Sequence, residues 1–182
     1  MLKEWINKKY LNEISIKKIS KGFIEGKPYP HFVLKNFFSE NKISKLKREI
    51  LKEKFYRKDK DLFSFCSTIE LKHSKNHCIS GFYNILSSKE FISFIMKLTD
   101  QKYLDYIDMH AHIFRQGDYL LFHDDVVEGR KIAYILYLSA GFKSKDGGRF
   151  QMFDIKNSMS PAKQISPIFN SFVCFSVSGK SL

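Results

Sequence analysis

His123, Asp124 and Asp125 follow one another inside the stretch Asp118 to Leu138, which otherwise reads as extended chain. Side chains two apart on a strand project to the same side, so His123 and Asp125 can offer an imidazole nitrogen and a carboxylate oxygen to one metal ion. Two histidines and one carboxylate on one face, with the other face open, form the facial site of non-haem Fe(II). The triplet supplies two of those three donors, and no histidine follows His123 in the chain. Water, or His110 or His112 from one face of the preceding strand candidate, would have to fill the third position. A three-residue pattern recurs by chance, so its surroundings carry the weight.

Those surroundings are short strands joined by tight turns. Ile107 to Phe114 alternates as a strand does, and Ile132 to Leu138 is a dense apolar run of a length suited to a buried strand. A turn-rich segment, Ser144 to Gly148, leads into a further strand candidate from Arg149 to Asp154. With His123-Asp-Asp125 come Glu128-Gly129-Arg130, Ile132-Ala133, Ile135-Leu136-Tyr137-Leu138 and Gly147-Gly148, and earlier Pro30-His-Phe-Val and Asp61-Leu-Phe. From about Pro30 to its C-terminus the chain resembles the Fe(II)/2-oxoglutarate-dependent dioxygenases. The likeness is to the prolyl hydroxylases, in particular the branch acting on a proline of a ribosomal small-subunit protein.

The resemblance implies an α+β, mainly β fold class with a double-stranded β-helix (jelly roll) core backed by N-terminal helices. Residues 1–182 would form one domain, with helical support over about 1–100 and a β-helix core over about 101–182 that lacks its last strands. His123 and Asp125 would be the Fe(II) ligands and Tyr137 would hydrogen-bond 2-oxoglutarate. Read from its type alone, Tyr137 serves equally well as core packing. The implied reaction hydroxylates a prolyl residue of a protein substrate, a ribosomal protein being the named candidate. It consumes O2 and decarboxylates 2-oxoglutarate to succinate, with L-ascorbate as a candidate reductant.

Two positions depart from the family pattern. A tyrosine three residues before the ligand histidine is replaced by Leu120, and Tyr119 next to it faces the other side of a strand. The second ligand histidine, and a basic residue for the far carboxylate of 2-oxoglutarate, would follow the strand at Asn170 to Ser178, about where the sequence stops at Leu182. Two readings follow. One is a hydroxylase represented by a chain that lacks its closing strands; the other is a non-catalytic relative that binds a protein or RNA partner. A β-helix without its closing strands would leave the strand around Asp108 without a neighbour, an edge that a continuing chain or an oligomer would cover.

The first half reads as support. Pro28-Tyr-Pro30 breaks the chain after a short N-terminal helix, and His31 to Lys35 reads as a strand. The spacing predicts a helix from about Glu40 to Phe55 with the apolar stripe Ile43, Leu46, Ile50 and Leu51. A second helix starts at a capping box, Ser87-Ser-Lys-Glu90, and continues along Phe91, Phe94, Ile95 and Leu98. Between them Asp61 to Ser80 reads as a polar, irregular loop near the substrate entrance. Its Cys66, His73, His77 and Cys78 lack zinc-site spacing. Ser178-Gly-Lys-Ser181 lacks the earlier glycine that a phosphate-binding loop needs.

A net charge of +12 raises the question of nucleic acid. The charge is carried by 26 Lys and 5 Arg, however, and the lysines of 42–60 fit the solvated face of the predicted helix. Direct nucleic-acid binding is therefore disfavoured, although the surface suits an RNA-associated protein substrate. Three cysteines form no even framework, which points to a reducing cytoplasm. No stretch has the apolar length of a membrane span.

Overall fold

The computed structural model describes residues 2–127, 129–154, 160–178 and 181. Short helix α1 (Leu2–Trp5) and α2 (Glu13–Ile24) precede strand β1 (His31–Lys35), which coincides with the predicted strand. Then come α3 (Glu40–Ile50), the hairpin β2 (Tyr56–Lys60) and β3 (Phe63–Ser67), α4 (His77–Leu86) and α5 (Lys89–Thr99). Strands β4 (His112–Ile113), β5 (Tyr119–Leu120), β6 (Ile132–Leu136), β7 (Phe150–Met152), β8 (Lys163–Ile165) and β9 (Ser171–Ser176) complete the order.

Strand β9 is the centre of a three-stranded antiparallel sheet ordered β1-β9-β6. Its side chains alternate between two apolar clusters, as a strand's period of two requires. Phe172 and Cys174 join Phe32 and Leu34 on the face covered by the helices, while Val173 and Phe175 turn to the other face with Val33, Ala133 and Ile135. The second face is closed by the hairpin β7-β8 through Phe150, Met152 and Ile165.

The helix side is built from aromatic rings. Phe37 is fully buried and stacks on Phe172 with ring centroids 4.5 Å apart and planes within 10°. Asn170, 1% exposed, fixes this contact. Its side-chain oxygen accepts from the Phe38 N–H at 3.0 Å and its amide nitrogen donates to the Phe38 carbonyl at 2.8 Å. Its own carbonyl accepts from the Phe37 N–H at 3.1 Å. Its φ of 57° lies in the left-handed region that Asn tolerates.

Several expectations are corrected. Helix α3 ends at Ile50, and Leu51 is 55% exposed, because Leu51 is already the C-terminal cap and falls off the stripe of Ile43, Leu46 and Ile50. The cap of α5 is Ser88, whose side chain accepts from the Phe91 N–H, rather than Ser87; the stripe Phe91, Phe94, Ile95 and Leu98 is buried as expected. The segment 61–80 is not an irregular loop: it contains β3 and opens α4. Phe63 and Phe65 carry its strand signal between polar neighbours.

The double-stranded β-helix is realised only in part. The strands form sheets of three, four and two strands, and among the described residues they do not close into a barrel. The strand candidate Ile107 to Phe114 shortens to β4. Its neighbourhood is paired nonetheless: Thr68 N–H donates to Ala111 and Leu71 N–H to Met109, so the segment beyond β3 flanks the chain near Asp108. Among the described residues the three-stranded sheet ends at β1 on one side and at β6 on the other, and β6 is half-buried throughout.

Two glycines carry different constraints. A Cβ on Gly26 would come within 2.8 Å of the His31 nitrogen, so only glycine permits that close approach. Gly22 lies inside α2, where glycine costs about 0.5–1 kcal/mol against alanine, yet a Cβ there would meet nothing within 4 Å. Accordingly, Gly22→Ala is expected to raise stability by about 0.4–1 kcal/mol in urea unfolding. Asn170→Ala is expected to lower it by about 2–4 kcal/mol with an unchanged urea slope, since it strands two buried backbone groups of Phe38; a loss below about 0.5 kcal/mol would show that water replaces the amide.

Candidate metal centre

His123 and Asp125 lie in the irregular stretch between β5 and β6, and their side chains converge as the His-X-Asp spacing implies. His123 Nε2 is 3.5 Å from Asp125 Oδ1. The other ring nitrogen, Nδ1, is 2.8 Å from the Leu121 carbonyl and donates to it. That bond fixes the ring and directs Nε2 toward the carboxylate, the orientation in which an imidazole can present its lone pair to a metal. The hydrogen bond with Asp125 is the main cause that raises the His123 pKa above its ordinary value; partial burial opposes it.

Arg130 completes this arrangement from the far side of a turn at Gly129. Its Nη1 donates to the Asp125 carbonyl at 3.2 Å and lies 3.8 Å from Asp125 Oδ1, while Nη2 lies 3.8 Å from Asp108 Oδ2. Asp108 in turn meets His110 Nε2 at 2.9 Å. His110 is therefore directed to Asp108, and His112 packs beside the Phe65 ring at 4.9 Å, so neither histidine turns to the His123–Asp125 pair. Among the described residues no group of three His, Cys, Asp or Glu side chains is assembled that could hold a metal ion. His123 and Asp125 fit two positions of a facial Fe(II) site by donor type, spacing and orientation; the described residues leave the third open.

Tyr137 follows β6 with its backbone bonded to Ser171 and Asn170, and its side chain joins the cluster on the β7-β8 side of the sheet. Burial pushes its phenol pKa up, so the hydroxyl stays protonated and available as a donor. Tyr29 belongs to the same cluster and is 5% exposed. Its pKa is raised first by burial and then by the charge of Asp125.

Tyr119 gives no substitute for the tyrosine missing at Leu120, because its hydroxyl reaches the Lys60 carbonyl at 3.3 Å on the hairpin side. Sequence reasoning read Pro28-Tyr-Pro30 only as a chain break and missed Tyr29; the signal was a tyrosine flanked by prolines next to a strand. It included Arg130 only within a motif and missed its ion pairs. Of the motif residues, Glu128 lies outside the described residues, as do Gly179 and Lys180 of the Ser178–Ser181 segment.

N-terminal helices beside several antiparallel sheets make a mixed α+β fold that resembles the core of the 2-oxoglutarate oxygenases. A crystal structure of a Pseudomonas putida prolyl-4-hydroxylase superposes with a TM-score of 0.68, covering 91% of this chain and 88% of that one at 14% identity, which speaks for the fold alone. The profile of the 2OG-Fe(II) oxygenase superfamily matches residues 109–182. Over 159 residues, 85% of the chain, it is 30% identical to prolyl 3-hydroxylase OGFOD1 of Xenopus laevis, and over 155 residues, 83% of the chain, 32% identical to the mouse protein of that name. The chain belongs to the Fe(II)/2-oxoglutarate oxygenase superfamily, in its prolyl-hydroxylase branch. It spans 31% and 28% of the length of those two relatives.

If His123 and Asp125 act as a pair, His123→Ala and Asp125→Ala each lower Mn(II) affinity at least about tenfold, or roughly 1.4 kcal/mol, in calorimetric titration. Unchanged affinity in both variants would remove the metal assignment.

Proposed function

We propose that these 182 residues act as a non-catalytic, partner-binding member of the prolyl-hydroxylase branch, with His123 and Asp125 as an incomplete metal site. The observation that carries this reading is the donor set: among the described residues, two side chains converge and no third joins them. Two ligands hold a divalent cation loosely and leave its geometry unfixed, so the reaction's demand for a defined open face is not met. In that state Arg130 stands beside Asp125 and offsets part of its charge. The partner is taken to be a protein, a ribosomal protein being the candidate suggested by the relatives.

A second reading is favoured by one observation, the Nδ1–H bond from His123 to Leu121 that aims Nε2 at the carboxylate as in a loaded site. On that reading the chain supplies part of an Fe(II)- and 2-oxoglutarate-dependent peptidyl-proline hydroxylase. Fe(II), when bound, would supply the oxygen chemistry, with ascorbate as a reductant. Tyr137 would donate its phenolic hydrogen to 2-oxoglutarate, and the third donor would come from residues other than those described. On either reading residues 1–182 serve as one domain.

Succinate release separates the two. With Fe(II), 2-oxoglutarate, ascorbate and a proline-containing ribosomal-protein peptide, the isolated 182-residue chain is expected to produce no succinate above a His123→Ala control. Turnover that depends on His123 would establish the hydroxylase reading instead. In that case Tyr137→Phe should raise the 2-oxoglutarate requirement with little change in the metal requirement, by about three- to tenfold for one lost hydrogen bond.

A further inference from the structure

A cleft of about 680 Å³ runs between α2 and β1, on the opposite edge of the three-stranded sheet from β6. Among the described residues its lining carries the four lysines Lys9, Lys18, Lys27 and Lys163 beside His31, and no acidic side chain. At one end Lys163 Nζ lies 2.6 Å from His31 Nε2, and His31 Nδ1 meets the Tyr29 carbonyl at 2.8 Å. His31 Nδ1–H donates to that carbonyl and its Nε2 accepts from the Lys163 ammonium, which keeps its other N–H groups to offer an incoming carboxylate.

The floor is apolar, made by Ile19, Phe32 and Leu34. The ladder sets the rest. Ser176 N–H bonds to the Pro30 carbonyl, so by antiparallel alternation the backbones of Phe32 and Leu34 face β9 and that of Val33 faces the cleft. The Lys35 carbonyl beyond it is already taken by the Tyr10 hydroxyl at 2.7 Å. Gly22 opens the roof: it lines the cleft from inside a helix, where an added Cβ would meet nothing within 4 Å, so packing with the rest of the chain does not demand a glycine there.

We propose that this cleft binds an extended acidic peptide segment of a partner protein, with apolar side chains on the floor, carboxylates on the lysines, and a backbone anchor at Val33. Charge complementarity selects an acidic occupant, and the unused strand edge with apolar floor selects a peptide over a nucleic acid. Among the described residues no arginine lines the cleft to read phosphates or bases. Neither His123 nor Asp125 lines the cleft, and the proposal is independent of the functional reading above.

The test is fluorescence anisotropy at low ionic strength with a labelled ten-residue peptide of alternating Glu and Val, and a ten-nucleotide oligouridylate as the competing probe. Gly22→Phe fills the open space without touching any charge, and Lys18→Glu and Lys163→Glu reverse charge at two walls. Lys58→Glu, on the exposed strand β2, is the control for net charge. The peptide is expected to bind, and each of the three cleft variants to weaken it about tenfold while Lys58→Glu changes it less than about twofold. Far-ultraviolet dichroism and thermal melts identify any variant that fails to fold, and the remaining two decide. Equal weakening by Lys58→Glu, absence of peptide binding, or displacement of the peptide by oligouridylate with the same sensitivity to Gly22→Phe would each overturn the proposal.

Discussion

The structure depends on one strand serving two cores. Strand β9 is buried nearly along its whole length, and its side chains alternate between the ring cluster under the helices and the smaller cluster under β7-β8. Neither face can move without the other, because a shift by one residue would exchange Phe172 for Val173 and invert both. Asn170 fixes that register at its start, by tying the turn before β9 to Phe38 at the end of the β1 connection. The position of Tyr137 follows from the same register, since its backbone is bonded to Ser171 and Asn170.

The candidate centre lies outside this rigid frame. His123 and Asp125 are held by local bonds to Leu121 and Arg130, on a stretch flanked by exposed Leu121, Phe122, Val126 and Val127. His110, His123 and Arg130 surround Asp108 and Asp125 at distances between 2.9 and 3.8 Å and with substantial exposure, so each pair contributes little to stability by itself. Their consequence is geometric. They hold two potential metal donors together and direct His110 away from them.

Edges decide what else the molecule can do. Within the described residues the three-stranded sheet ends at β1 on one side and β6 on the other. The β1 edge has helix α2 and a ring of lysines beside it, a common way of keeping an edge from pairing with itself. The β6 edge is apolar and half-buried, and its free backbone groups are those of Ile132, Tyr134 and Leu136.

The sequence by itself determined the local features whose physics is short-ranged. His31 to Lys35, the apolar stripe of α5 and the dense run at Ile132 declared themselves through periodicity, and the His-X-Asp spacing carried the convergence of His123 and Asp125. Where signals were short or mixed it misled: Phe63 and Phe65 were hidden among polar neighbours, and the α3 stripe was drawn one residue too far, to Leu51. Only the tertiary structure decided that His110 is held by Asp108, that Arg130 bridges two carboxylates, and that Tyr29 lies within the field of Asp125. Those relations join residues from separate segments, and nothing in their local spacing encodes them. Likewise, whether strands close into a barrel is a matter of which edges meet, and an edge acquires its partner only when the whole chain is folded.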